Sequence, residues 1–112
     1  MRDGNYALRI SADGFVGSGV FAMRDNRGAV QDTLFNMTGH LIERRAALDA
    51  VFNVKMEPAV IGNKGMPKCF SLHMDGAANN DSFHVIGVGP LGLIIEIDGE
   101  WAGPTDRRSD LA

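Results

Sequence analysis

The sequence predicts an all-β protein, a small up-and-down barrel of about eight antiparallel strands. Three observations predict it: long stretches of alternating apolar and polar residues, 14 glycines among 112 residues, and turn-forming clusters between the stretches. Consecutive hairpins expose strand edges unless the sheet closes on itself, so a lipocalin-like barrel is the simplest arrangement. We assign this single domain to residues 1–103 and expect a polar, disordered tail at 104–112.

The first three strands are short alternating segments separated by turn residues. Residues 6–10 form the first strand, and the Ser-Ala-Asp-Gly sequence at 11–14 is typical of a turn. Residues 17–24 form the second strand. The Asp-Asn-Arg-Gly sequence at 25–28 is a strong turn signal before a short third strand at 29–31.

Residues 34–56 contain the longest alternation and predict a hairpin of two long strands. We place its turn at residues 43–46, which sets large side chains opposite large ones on one face. The predicted pairs are Leu41–Leu48, Gly39–Ala50, Met37–Phe52 and Phe35–Val54.

The remaining strands follow a long loop that two prolines and two glycines predict at residues 57–67. Residues 69–75 and 82–88 then form a hairpin in which Met74 faces Phe83, Leu72 faces Val85 and Phe70 faces Gly87. The Gly-Pro-Leu-Gly sequence at 89–92 predicts a tight loop with Gly92 in the left-handed conformation. That loop sets Gly87 opposite Ile95 and Val85 opposite Ile97 in the last hairpin.

The inward faces of these strands are predicted to form an apolar interior. If the barrel were hollow, this interior would bind a small apolar ligand, but no ionisable group is predicted inside to orient one. We favour a filled core over a carrier. The interior residues that would contact a ligand are Phe35, Met37, Phe52, Phe70, Met74, Phe83 and Ile95.

Apolar residues also occur on the predicted outer face of the last hairpin. Ile86, Val88 and Ile94 share this face, and apolar side chains outside a barrel are typical of a partner surface. The simplest use is a two-fold homodimer. The alternative is that Trp101 or the tail covers them.

The candidate catalytic and metal-binding residues are few. His73 and His84 fall opposite each other in the predicted hairpin and form a weak candidate metal pair, but no close-spaced Cys/His motif supports it. The Gly-x-Gly-x-x-Gly pattern at 87–92 lacks the following helix that a phosphate site requires. The lone Cys69 lacks an evident base and orienting group. We therefore predict no catalytic residues, no metal and no cofactor, and hence no enzyme.

Charge and composition limit the class of partner. The net charge of −3 argues against nucleic-acid binding, which requires a basic surface. No apolar run approaches the roughly 20 residues of a membrane helix, so no membrane association is expected. The first residues lack the apolar segment of a secretory signal, and one cysteine gives no reason to expect an oxidising compartment. The expectation is a cytoplasmic protein.

Five short motifs stand out along the chain: the opening Met1-Arg2-Asp3-Gly4-Asn5-Tyr6-Ala7-Leu8, then Gly17-Ser18-Gly19-Val20, Arg24-Asp25, Phe35-x-x-x-Gly39 and Phe70-x-Leu72-x-x-x-Gly76. Together they resemble the GrlR-like negative regulators of type III secretion. The similarity extends over most of residues 1–103. It implies a lipocalin-like barrel, a homodimer, and regulation by contact with a protein such as a transcriptional regulator, without enzymatic activity.

The resemblance also implies a partner-binding loop. In the best-known member of the family an acidic motif in a hairpin loop binds a transcriptional activator, and the corresponding loop here contains Glu43, Arg44 and Arg45. The acidic run is absent and the charge balance is reversed. The sequence therefore predicts a non-enzymatic interaction protein, with a carrier of small hydrophobic ligands as the alternative.

Overall fold

The protein folds as a closed barrel of eight antiparallel strands, which confirms the predicted fold class. The structure is a computed structural model that describes residues 2–12, 14–31, 35–45, 47–56 and 67–104, and for Gln31, Phe35 and Met56 it describes the backbone alone. Most of the loop predicted at 57–67 and of the tail predicted at 104–112 lies outside the described residues. Among the described residues, no helix has the length and apolar character needed to cross a bilayer.

Each strand pairs with its neighbours in sequence, and the first strand pairs with the last to close the wall. In chain order the strands are β1 (Gly4–Ala12), β2 (Phe15–Arg24), β3 (Arg27–Gln31), β4 (Phe35–Arg44), β5 (Ala47–Met56), β6 (Cys69–Ala78), β7 (Ser82–Val88) and β8 (Ile94–Gly103). A single 3₁₀ turn at Pro90–Gly92 connects β7 to β8. Apart from the connection between β5 and β6, the connections are short, and short connections favour an order in which each strand lies beside the next.

Residues with positive φ form the tight turns. Asp25 and Asn26, with φ of 53° and 63°, connect β2 to β3 in the manner of a two-residue hairpin turn. Arg45 has a φ of 60° in the β4–β5 connection. Gly92 has a φ of 75°, which confirms its predicted left-handed conformation, and the preceding Leu91 shares this conformation at 61°.

The register of the β4–β5 hairpin differs from the predicted one by two residues. The strands remain paired as far as Arg44 and Ala47, so the turn lies one residue further along the chain than the one we predicted at 43–46. The predicted pairs are replaced by Leu41–Ala50, Gly39–Phe52, Met37–Val54 and Phe35–Met56, with Glu43 opposite Leu48. A side chain at Gly39 would overlap the ring of Phe52, so the glycine makes room for the aromatic residue. The prediction that large faces large was wrong, whereas the predicted inward parity is correct.

The β6–β7 register differs from the prediction by four residues, and the β7–β8 register matches it. Met74 lies opposite Gly87 instead of Phe83, and Phe83 lies opposite Ala78. The reason is a compact turn, in which the Asn79 side-chain oxygen accepts hydrogen bonds from the backbone N–H groups of Asp81 and Ser82, both 2.9 Å long. The predicted partners Gly87–Ile95 and Val85–Ile97 are confirmed.

The core lies inside the barrel and contains apolar side chains from β1 to β8 together with the phenol of Tyr6. The largest buried side chains are Tyr6, Phe21, Phe52, Met23, Leu41, Leu48, Leu72, Met74 and Ile97. The rings of Phe21 and Phe52 meet edge to face with centroids 6.0 Å apart, a favourable arrangement for aromatic pairs. The barrel is therefore closed around a continuous, well-filled interior.

Candidate functional site

The interior residues predicted to contact a ligand fill the barrel. Met37, Phe52, Met74, Phe83 and Ile95 are all at most 5% exposed. Phe70 is partly buried, and the side chain of Phe35 lies outside the described part of the structure. A cavity between Phe70, Leu93 and neighbouring apolar residues has a volume of about 30 Å³. Pockets for drug-sized ligands measure roughly 300–1,000 Å³, so the described interior accommodates no such ligand.

One end of the barrel, which we call the clasped end, is closed by Arg2, Asp3, Tyr6, Asp81 and Trp101. The Tyr6 hydroxyl donates a 2.7 Å hydrogen bond to the Arg2 carbonyl, and the Trp101 indole N–H donates a 3.1 Å bond to the Asp3 carbonyl. The Arg2 guanidinium lies 3.6 Å from the Trp101 ring centroid and donates a 2.7 Å hydrogen bond to Asp81. The N-terminal residues are thus tied to β8 and to the β6–β7 turn.

The environment of Tyr6 disfavours its ionised form. Burial raises the pKa of the Tyr6 hydroxyl above its usual 10.0, the charges of Asp81 and Glu43 raise this pKa further, and Arg2 opposes them. The hydroxyl therefore stays neutral and remains a donor for the Arg2 carbonyl across the ordinary pH range.

We call the opposite end the open end; on the outer wall toward it, the Ser71 hydroxyl donates a 2.9 Å hydrogen bond to Asn53 Oδ1. Phe15, Phe70 and Leu93 are only partly buried there and surround the small cavity. The β6–β7 ladder ends at Met74 and Gly87, because the chain leaves β7 after Val88. The first residues of β6 consequently pair with β5 alone among the described strands.

Apolar side chains project from the outer wall of β7 and β8 at this same end. Val88 and Ile94 lie directly opposite each other and are 65% and 57% exposed, and Ile86 is 40% exposed. We call these three residues the β7–β8 patch. Trp101, one predicted cover, lies instead against Arg2 at the clasped end. The patch therefore remains open to solvent on the described surface.

The predicted partner-binding loop forms the tip of the β4–β5 hairpin. Glu43, Arg44 and Arg45 are exposed, and Arg45 occupies the turn itself. The Arg44 Nε atom lies 3.8 Å from Asp49 Oδ2, and both side chains are largely exposed. Such surface ion pairs contribute roughly 0–1 kcal/mol, so Arg44 remains accessible to a partner's charge.

The two histidines are not brought together, so the predicted metal pair is wrong. His73 lies opposite Val51 on β5, and His84 lies opposite Ala77, because the β6–β7 register is shifted. His84 contacts β8 instead, where its Nδ1 atom is 2.5 Å from Asp98 Oδ1. The β7–β8 register that we predicted from sequence already sets His84 opposite Asp98, which is the signal that the sequence reasoning passed over.

No protein-family model and no curated protein sequence matches this chain. The accessible groups on the wall include the apolar β7–β8 patch and the charged tip at residues 43–45, and Val16 and Val20 of β2 are exposed as well.

Proposed function

We propose that this protein is a non-enzymatic cytoplasmic regulator that acts by protein contact as a homodimer, in the manner of the GrlR-like proteins it resembles. One observation carries the proposal. The barrel exposes the β7–β8 patch on its outer wall while its interior is filled. A protein that uses its outside for recognition fits this distribution of apolar surface better than one that uses its inside.

A second copy of the chain is the occupant that we propose for the β7–β8 patch. A two-fold axis through the wall brings the same residues of both copies together, and the contact closes without further addition of subunits. The apolar Val88 and Ile94 would form the centre, and the half-exposed His84 and Glu96 would form a polar rim. An apolar centre within a polar rim is the usual anatomy of a protein interface.

The tip at residues 43–45 remains available for a different protein in such a dimer. It belongs to the β4–β5 hairpin, which is separated from β7 by β6 along the wall. With two arginines at the tip, the charge complementarity favours an acidic surface on the partner. The family resemblance suggests a transcriptional regulator as that partner.

Sedimentation velocity of the wild type and two matched double variants tests the dimer. We expect a dimer for the wild type, and dissociation to monomers for Val88→Ser/Ile94→Ser, because the interface loses its apolar centre. Val20→Ser/Ile42→Ser removes comparably exposed side chains from β2 and β4 and should leave the dimer intact. A monomeric wild type, or a patch variant that remains dimeric, would refute the proposal.

The carrier of a small hydrophobic ligand remains the second candidate, and the apolar lining of the open-end cavity favours it. To hold a ligand, Phe70 and Leu93 would have to move outward and enlarge the cavity roughly ten-fold from about 30 Å³. A native mass spectrum of the untagged protein distinguishes the two. A discrete adduct released on denaturation would favour the carrier, and a clean subunit mass would favour the filled barrel.

A further inference from the structure

The imidazole of His84 lies between two carboxylates on the outer wall. Its Nδ1 atom is 2.5 Å from Asp98 Oδ1, and its Nε2 atom is 3.9 Å from Glu96 Oε2. All three side chains are about half exposed, so an ion in solvent can reach them. We propose that His84 Nε2 and Glu96 Oε2 form half of a Zn²⁺ site, and that a second copy of the chain supplies the other half.

Asp98 acts as a positioning residue for the imidazole. When Nδ1–H donates to Asp98, the neutral ring carries its free lone pair on Nε2, the atom that faces Glu96. Histidines that bind metal commonly donate their other ring N–H to a carboxylate, which fixes both the tautomer and the ring orientation. The contact between His84 Nδ1 and Asp98 Oδ1 has the geometry that such a donation requires.

The gap between His84 and Glu96 suits a shared ion better than a direct bond. At 3.9 Å the two atoms are beyond hydrogen-bonding distance. Zn²⁺ binds nitrogen and carboxylate oxygen at about 2.0–2.2 Å, so two ligands of one tetrahedral ion lie about 3.4 Å apart. A small rotation of the half-exposed Glu96 side chain closes the difference. The competing interpretation is a surface ion pair of protonated His84 with its two carboxylates, which requires no metal.

A second copy of the chain is needed because one chain supplies too few ligands for Zn²⁺. Among the described residues, no three His, Cys, Asp or Glu side chains are placed to hold an ion, so one chain supplies two ligands of the four that Zn²⁺ prefers. Ile86 lies opposite Glu96 and two residues from His84, so the half-site borders the β7–β8 patch. This inference rests on the proposed homodimer, whose two-fold axis would assemble two histidines and two glutamates around one ion.

Zinc titration of untagged, chelator-treated protein tests the site, with calorimetry for stoichiometry and sedimentation velocity for subunit number. We expect one Zn²⁺ per two chains and a monomer–dimer equilibrium shifted toward dimer by about ten-fold or more. Mg²⁺, which prefers oxygen ligands, should give no shift. His84→Gln and Glu96→Gln should each abolish the zinc effect, and Asp98→Asn should weaken zinc binding by about 10–100-fold. His73→Gln is the matched control and should behave as the wild type.

The outcomes separate this inference from the proposed function. If the protein is dimeric in chelator and zinc changes neither affinity nor mass, the metal site is refuted and the homodimer stands. If the protein is monomeric with and without zinc, both are refuted. A zinc effect that persists in His84→Gln, or a stoichiometry of one ion per chain, also refutes the shared site. Circular dichroism of each variant checks that these exposed substitutions leave the barrel folded.

Discussion

The clasped end and the open end of the barrel are covered by different kinds of contact. At the clasped end, hydrogen bonds and a cation–π contact tie the N-terminal residues to Trp101 and Asp81 across the β1–β8 closure. At the open end, partly buried apolar side chains surround a cavity of about 30 Å³, and β6 extends beyond its pairing with β7.

The comparison suggests where stability and adaptability are concentrated. Segments with few buried contacts and unpaired backbone open at lower free energy than the rest of a protein. We therefore expect the clasped end to contribute more to global stability than the open end. The β7–β8 patch begins at the open end, so the less constrained part of the wall is also the part that we propose to bind another chain.

Truncation of one phenylalanine at each end should give the largest losses of stability. Phe83 is 4% exposed and packs against Tyr6 with ring centroids 5.7 Å apart, whereas Phe70 is only partly buried. We expect Phe83→Ala to lower the free energy of unfolding by about 4 kcal/mol and Phe70→Ala by about 2 kcal/mol. Urea denaturation measures both. An equal or larger loss for Phe70→Ala would reverse the comparison.

A pair of glycine substitutions should give smaller losses of stability. Gly4 and Gly92 both have positive φ, of 137° and 75°. An added Cβ at Gly4 would lie 2.6 Å from both Trp101 Nε1 and the Gly103 carbonyl oxygen, while one at Gly92 would meet nothing within 4 Å. Gly4→Ala should therefore cost about 3 kcal/mol, from strain and overlap, and Gly92→Ala about 1 kcal/mol, from strain alone. Thermal unfolding at matched concentration compares the two, and similar losses would show that crowding at the clasp has little effect.

The smallest effect that we predict is alkaline loosening of the clasped end. Because the pKa of Tyr6 is raised above its usual 10.0, its contribution to stability is complete below pH 10 and is lost as the pH rises beyond that value. Tyr6→Phe should cost about 1 kcal/mol at neutral pH, through loss of the bond to the Arg2 carbonyl, and should reduce the alkaline decline.

Tyr6 is the single tyrosine of the sequence, so phenolate absorbance reports it directly. The midpoint in the folded protein should lie above that of the urea-unfolded chain. A midpoint equal to the unfolded one would show that the clasp does not shield the hydroxyl.

Strand order and side-chain parity were predictable from the alternating pattern, whereas register was predicted correctly only for the β7–β8 hairpin among the three hairpins with predicted pairs. A shift in register of two or four residues leaves the same side chains facing inward, so Phe52 and Phe83 remain inside the barrel. The predicted parity is therefore correct even where the predicted register is wrong. In the β4–β5 hairpin we paired residues of similar size, whereas the barrel places Phe52 beside Gly39. Aromatic rings covering glycines are governed by the curvature of the closed sheet, which the sequence pattern does not express.

The candidate site was predictable only in part, for the same reason. The outward parity of Val88 and Ile94 and the correct β7–β8 register give the patch and the contact between His84 and Asp98. The clasped end escaped prediction because its contacts join residues far apart in the chain, as with Asp3 and Trp101. Such contacts form only when β1 pairs with β8, and no local sequence pattern predicts which residues that pairing brings together.

The neighbour order of the strands has a topological consequence. Seven of the eight strand pairs join strands that follow each other in the chain. The eighth pair joins β1 to β8, with Asn5 opposite Gly103. The wall is therefore a ring in which every strand has the same kind of neighbours, and the chain ends mark a break between two adjacent strands. A circular permutant that joined these ends and opened any hairpin turn would contain the same eight strand pairs. The shape of the barrel therefore depends on the cyclic order of its strands and not on which strand comes first.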